Sequence, residues 1–199
     1  FRARHVAGRA ASLDEKIGLA FHIMFNSVKK ATNLFSGSHV IFCLEGRSWR
    51  KDVYEPYKKN RKVVLDKRSP NEQEEDQFWW EAYDDFLKFV NEQTNCSAIR
   101  SPNAEADDVI AVIKNNYRSK FPEREIVIIT SDHDYLQLLD DKTYIYTLQN
   151  KLLNTKSCGD PKRDLLVKII MGDTSDNIPK IFSKCGYKNP ILVSATDGV

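Results

Sequence analysis

"EIVIITSDHDYLQLL", residues 125–139, decides the fold. Its first part, 125–130, is a short and almost unbroken apolar run, the pattern of a strand covered on both faces as in a parallel sheet. Two acids follow at once, Asp132 and Asp134, so this strand delivers carboxylates beyond its own carboxyl end. Ligands bind beyond the carboxyl ends of strands in open parallel sheets. If the backbone stays extended there, Asp132 and Asp134 point the same way and His133 points the other, away from any shared ligand. A second run, "HVIFCL" (39–44), repeats the design and ends on Glu45.

Helices separate these strands. Ser12-Leu13-Asp14-Glu15 has the capping-box pattern. Ile17, Leu19, Ala20, Ile23, Met24, Val28, Ala31 and Leu34 then recur at helical spacing, which predicts a helix over 13–35. Residues 71–93 carry an aromatic-rich stripe (Phe78, Trp79, Tyr83, Phe86, Leu87, Val90) that is assigned to core packing. Further helices are expected over 104–117, 134–139 and 161–172, with a strand over 143–148. The alternation predicts an α/β fold with a mostly parallel central sheet flanked by helices. From about 173 the chain turns polar, with Gly172, Pro179, Gly186 and Pro190, and is expected to form a loop-rich, partly helical appendage.

Composition narrows the setting. The 199 residues are 41% apolar, enough to bury a core, and the net charge of +2 means that attraction to nucleic acid must come from uneven charge placement. Cys43, Cys96, Cys158 and Cys185 lie far apart with no C-x-x-C pair, which favours neither zinc nor a disulfide framework and suits a reducing, cytoplasmic setting. No apolar stretch approaches the roughly 20 residues of a membrane helix, and no signal peptide is evident. Starting at Phe1 and stopping at Gly198-Val199, the chain is read as a fragment.

"NAEADDVIAVI" (103–113) opens the predicted 104–117 helix with Glu105, Asp107 and Asp108. If that helix starts at the edge where the strands end, five or six carboxylates gather there, and like charges so close cannot all stay ionised without cations. All-oxygen ligation selects magnesium or manganese over zinc. On an ideal helix, at about 100° per residue, Glu105 and Asp107 flank the apolar face and Asp108 lies nearly opposite it. Glu105 should therefore precede the first full turn in order to reach Asp107, while Asp108 serves the helix dipole or a supporting role. Each acid alone could be a solvated cap; their conjunction at three element ends favours metal.

Between Arg47 and Arg68 nine Lys/Arg outnumber three acids, interleaved with Trp49, Tyr54 and Tyr57. Arg47, Trp49, Arg50, Lys51, Tyr57, Lys58, Lys59, Arg61 and Lys62 are candidate nucleic-acid contacts, since cations track phosphates and aromatic faces stack on unpaired bases. The plainer alternative is an exposed charged loop. "MGDTSDNIPKIF" (171–182) adds Asp173 and Asp176, by composition a polar turn with Asx caps.

"LEGRSWRKDVYEPYKKNRK", "NAEADDVIA", "ITSDHDYLQLL" and "GDTSDNIP", in this order, resemble the 5′ nuclease (flap endonuclease) superfamily, with spacing similar to the ribonuclease H of T-even-type bacteriophages. The resemblance implies a PIN-like core over 1–160, including a helical arch at about 46–75, and the start of a helix-three-turn-helix DNA-binding region over 161–199. It implies that Glu45, Glu105 and Asp107 serve one metal ion and Asp132, Asp134 and Asp173 a second. Lys58 and Arg61 take the place of catalytic arch cations, and Asp176 and Asn177 order the duplex-binding turn, with a monovalent cation as a further expectation. The implied activity is two-metal, Mg2+-dependent 5′-3′ exonuclease or flap endonuclease cleavage in replication and repair, with Mn2+ able to substitute. The implied partners are 5′-flapped, nicked or primer-bearing DNA, RNA-DNA hybrids and a replicative single-strand-binding protein; the chain is expected to be a monomer. Two departures stand out: Glu45 replaces the usual Asp, and an earlier family Asp on an N-terminal strand has no counterpart, so weaker binding of the first ion is expected. "KIFSKCGYKNP" (180–190) also replaces the family's glycine-rich hairpin. The rival readings are a PIN-type single-strand ribonuclease and a branched-DNA-binding module that does not cut.

Overall fold

The computed structural model describes residues 12–181. Expectations for the preceding residues, for Gly186 and Pro190, and for most of 180–190 lie outside the described residues. The chain divides into two compact units, one of Phe1–Glu45 with Lys67–Ser101, the other of Gly46–Asp66 with Pro102–Val199.

In the first unit, α1 (Leu13–Phe35) starts at the expected capping box, where Ser12 accepts from the Glu15 N–H and the Glu15 carboxylate accepts from the Ser12 N–H. Strand β1 (Ile41–Leu44) pairs in parallel with β2 (Ser97–Arg100), Ile41 opposite Ser97. The sequence reading did not find β2, because a half-polar "SAIR" gives no apolar run. It is held from the side instead. The Asn91 amide, on the long aromatic helix, donates to the Ala98 carbonyl (2.9 Å) and accepts from its N–H (2.8 Å). That helix is the fourth among the described residues, Pro70–Gln93, capped by Ser69 and Glu72 with Pro70 in its first turn. Its Phe86 and Val90 are buried with Ala98, and Phe86 stacks on Phe21 (5.6 Å between ring centres) and meets Phe42 edge-on (5.1 Å). Trp79 packs separately on Ala20. Phe78 corrects the core assignment. It is 46% exposed, lying about 100° round the helix from Trp79, beyond the buried stripe. Leu19 and Leu34 of α1 are likewise exposed, at the margins of a helix that buries Ala20.

The second unit contains α2 (Arg50–Val53) and α3 (Lys59–Asp66), then α5 (Ala106–Lys120), β3 (Ile126–Ile129), β4 (Thr143–Tyr146) and α6 (Pro161–Met171), the Pro70–Gln93 helix of the first unit being α4. β3 and β4 pair in parallel, Ile126 opposite Thr143. Ile128, Ile145, Tyr135, Leu136 and Leu153 form its core, with Ile110 of α5 packed against them. Behind β4, Asp140 accepts from Lys114 (2.7 Å), from Arg118 (3.0 and 3.1 Å) and from Thr143 (2.6 Å), tying α5 to the loop that starts the strand.

Among the described residues each unit thus carries one parallel pair flanked by helices, and the α/β expectation holds. A further local expectation fails. His133–Leu138 is a 3-10 helix, and Asp132 caps it by accepting from the Asp134 N–H at 2.9 Å. The chain turns at the cap before extended alternation can set the two side chains, so the common direction argued for Asp132 and Asp134 has no basis in the backbone. No helix among the described residues is long and apolar enough to cross a membrane.

Candidate metal centre and its basic flank

Glu105 is the N-cap of α5, in extended conformation (φ −75°, ψ 163°), one residue before the first helical turn, as the sequence required. Glu105, Asp107 and Asp108 each offer an oxygen within 4.8 Å of the other two. Three carboxylates that close need compensation, and the second unit supplies it unevenly. Glu105, only 4% exposed, accepts from the Tyr57 hydroxyl (2.8 Å), from Arg50 (3.0 Å) and from the Lys58 ammonium. Asp108 receives both arms of Arg50 at 2.8 Å, a planar fork matched to a carboxylate. Asp107 accepts the Asp108 N–H at 2.7 Å.

The protonation equilibria follow these partners. Burial works to raise Glu105, but Lys58 and Tyr57 outweigh it and hold the acid below the ordinary carboxylate range. Arg50 holds Asp108 low. Asp107 goes up, through burial first and the neighbouring charges of Glu105 and Asp108 after that. Burial followed by the bond to Glu105 pushes the Tyr57 phenol well above its usual value, so it stays a donor. Asp107 is therefore the acid of this set that most lacks positive charge. Its surroundings suit a hard cation, because the donors are all carboxylate oxygens with neither His nor Cys among them.

Asp132, Asp134 and Asp173 form a second, looser acidic set, in which the charges of Asp132 and Asp173 both act on Asp134; among the described residues only Glu105, Asp107 and Asp108 bring three ligand oxygens within 4.8 Å of one another. The Lys168 ammonium, from the last turn of α6, contacts Asp134 and lies 2.9 Å from Asp173. Burial raises Asp134, with the charges of Asp132 and Asp173 adding to it; Asp173 is held well below the carboxylate range because bonds from Ser175 and Lys168 outweigh its burial. Asp173 also organises the following turn, accepting from the Ser175 N–H (2.8 Å), the Ser175 hydroxyl (2.6 Å) and the Asp176 N–H (3.2 Å). Asp173 and Ile178 close the turn by exchanging backbone bonds of 2.7 and 2.9 Å. Lys168 was not a sequence candidate, since a basic residue in a last helical turn is already explained by the helix dipole. Glu45 follows β1 in the first unit, where it is exposed.

The basic segment and the 173–178 turn, read separately in the sequence, are stitched together. The Lys58 N–H donates to the Asp176 carbonyl (2.9 Å), the Asn60 amide to the Thr174 carbonyl (3.2 Å), and the Asn177 amide to the Pro56 carbonyl (2.8 Å). Arg61 binds the Asp176 carboxylate at 2.6 Å, and Tyr57 lies 3.1 Å from its other oxygen. Asn60, a clasp between two chain-distant loops, lies within the motif that carries the family resemblance but was not among the candidate site residues. Of the remaining candidates, Arg50 is committed to acids, although it also lies over the Trp49 ring at 4.9 Å. Arg47 pairs with Asp52 and Lys59 with Glu55, in exposed ion pairs that cost little to exchange for phosphate. Lys51, Lys62 and the Trp49 ring are exposed.

Over residues 1–162 the chain matches the family described as "5'-3' exonuclease, N-terminal resolvase-like domain". It is 34% identical over 162 residues to a 5'-3' exonuclease of Mycoplasmopsis pulmonis, covering 75% of this chain and 48% of the relative. To a 5'-3' exonuclease of Bacillus subtilis it is 30% identical over 173 residues, covering 79% and 53%. To the ribonuclease H of Enterobacteria phage T4 it is 28% identical over 181 residues, covering 84% and 56%. The chain thus spans about half the length of these relatives. Among solved structures, the T5 D15 protein co-crystallised with metal ions superposes with a TM-score of 0.72 at 21% identity, over 92% of this chain and 67% of that one. The T5 D15 flap endonuclease in a pseudo-enzyme-product complex with DNA and metal ions gives 0.72 at 20% identity, over 98% and 70%. Those two superpositions establish the fold, and the match over residues 1–162 establishes the lineage: the chain belongs to the 5'-3' exonuclease N-terminal domain family.

Proposed function

We propose that the chain is the nuclease part of a Mg2+-dependent 5′ nuclease, which hydrolyses phosphodiesters near the 5′ end of flapped, nicked or primer-bearing strands and leaves a 5′-phosphate and a 3′-hydroxyl. The observation that carries this reading is the convergence, in one compact unit, of the Glu105, Asp107 and Asp108 carboxylates with the cations of residues 50–61. Glu105 and Asp107 would hold one divalent ion and Asp132, Asp134 and Asp173 a second; bound there, Mg2+, or Mn2+ in its place, would supply activation of water and neutralisation of charge on the phosphate. The chain's own groups do the rest. Arg50 fixes Asp108, and through it the cap that aims Glu105. Lys58, seated on Glu105, places an ammonium beside the acidic set, where negative charge develops on a phosphate. Arg61 shares Asp176 with Lys58 and presents its guanidinium to the same strand. Lys51, Lys59, Lys62 and Arg47 track the backbone, and the exposed Trp49 ring offers a stacking face for an unpaired base. Asp176 and Asn177 hold the turn against residues 56–61 and prepare it for duplex. The enzyme acts as a cytoplasmic monomer on replicating DNA, in company with a single-strand-binding protein.

Asp132→Asn, in the intact protein that contains this chain, is expected to abolish cleavage of a 5′-flapped DNA duplex while sparing its binding. Undiminished Mg2+-dependent turnover, or faster cutting of unstructured RNA than of flapped DNA, would overturn the reading.

A further inference from the structure

The two acidic sets are neutralised by different kinds of cation. Asp108 is gripped by a guanidinium through two parallel bonds of 2.8 Å, a fit that is planar, permanently charged and hard to displace. Asp134 and Asp173 are instead bridged by the Lys168 ammonium, a compact point charge on a four-carbon stem whose side chain is 35% exposed. Lys168 brings one positive charge to Asp134 and Asp173, and with Asp132 beside Asp134 the acids outnumber that ammonium, so the set still attracts a dication. A dication drawn to the same two carboxylates competes with the ammonium, because two cations sharing those acids repel each other at close range. The exposed stem gives Lys168 solvent to turn into.

We infer that Lys168 is an exchangeable internal counter-ion, which occupies the Asp134 and Asp173 oxygens before a divalent ion does and so sets the ion concentration at which the second acidic set fills. This rests on the metal reading of that set. Lys168 is here a positioning residue that acts through its two acids. A tether that merely holds α6 to the 3-10 helix would give the opposite sign on removal, since loosening the acids would weaken ion binding.

The test is a Mn2+ titration without DNA, followed calorimetrically and by the loss of the free-ion magnetic resonance signal, on the chain and on Lys168→Met, Lys168→Gln and Lys168→Arg. The Gln variant keeps polar contact with both carboxylates should Met disturb folding. Removing one positive charge about 4 Å from a dication is expected to tighten the weaker site about 5- to 30-fold in the Met and Gln variants. The Arg variant should bind no more tightly than wild type. In chelator, the two neutral variants should melt below wild type, and they should gain more on adding Mn2+. Unchanged or weaker Mn2+ binding in the folded neutral variants overturns the counter-ion role while leaving the metal reading intact. Failure of every protein, wild type included, to bind Mn2+ overturns both.

Discussion

Asp140 shows how one carboxylate organises its neighbourhood away from the acidic centre. Lys114, Arg118 and Thr143 all point at it, and their bonds hold its acid well below the ordinary carboxylate range despite the cost of burial. A group with a depressed folded pKa contributes stability above its unfolded value, near 3.9, and loses it as the pH falls through the folded value. Asp140→Asn should therefore cost about 1–2 kcal/mol at neutral pH, discounted for partial exposure, and progressively less below about pH 4. Thermal melts of both proteins between neutral and acid pH check this; a gap that stays constant down to the lowest pH contradicts it. Single residues varied in how far the sequence revealed them. Glu105 was legible as the cap of α5 because helical geometry forbade it from meeting Asp107 otherwise. Lys168 and Asn60 were not, since their partners lie on other elements and no spacing rule links them.

At the scale of elements, the turn after α6 is the most constrained piece. Gly172 has φ +65°, and a Cβ there would sit 2.6 Å from the Pro179 carbonyl carbon and oxygen. Gly172→Ala should cost at least about 2 kcal/mol, from left-handed backbone strain and the clash together. Faster amide exchange at Ser175 and Asp176 would report it, because their N–H groups are held by Asp173. Wild-type exchange rates there would show that the turn absorbs the methyl. The helices were readable where an apolar stripe met a cap, as in α1 and α4. β2 was not, because its partners are the Asn91 amide and β1, neither of which marks a half-polar tetrapeptide. The clasp between residues 56–61 and 174–177 joins side-chain amides and guanidinium to backbone carbonyls more than a hundred residues away, so composition could not foretell it.

For the whole molecule, a net charge of +2 conceals an uneven distribution, with acids concentrated at 105–108, 132–134 and 173–176 and cations along 47–62. Binding to DNA should weaken steeply with salt, since each phosphate neutralised releases counter-ions. The double change Lys59→Gln with Lys62→Gln should flatten the slope of log affinity against log salt by about 1–2, measured by fluorescence anisotropy of a labelled flap substrate. An unchanged slope would remove those lysines from the interface. The family was legible in the order of four motifs, whereas which cations are taken up by acids required the structure.

Single-turnover cleavage of a 5′-labelled flapped duplex, followed as Mg2+ is raised from chelator, bears most directly on the proposal that these carboxylates hold catalytic metal ions. No product is expected in chelator, product with 5′-phosphate and 3′-hydroxyl ends is expected as Mg2+ is added, and Asp107→Asn is expected to bind the duplex yet cut it at least about a hundredfold more slowly. Cleavage in chelator, or an Asp107→Asn variant as fast as wild type, would contradict it.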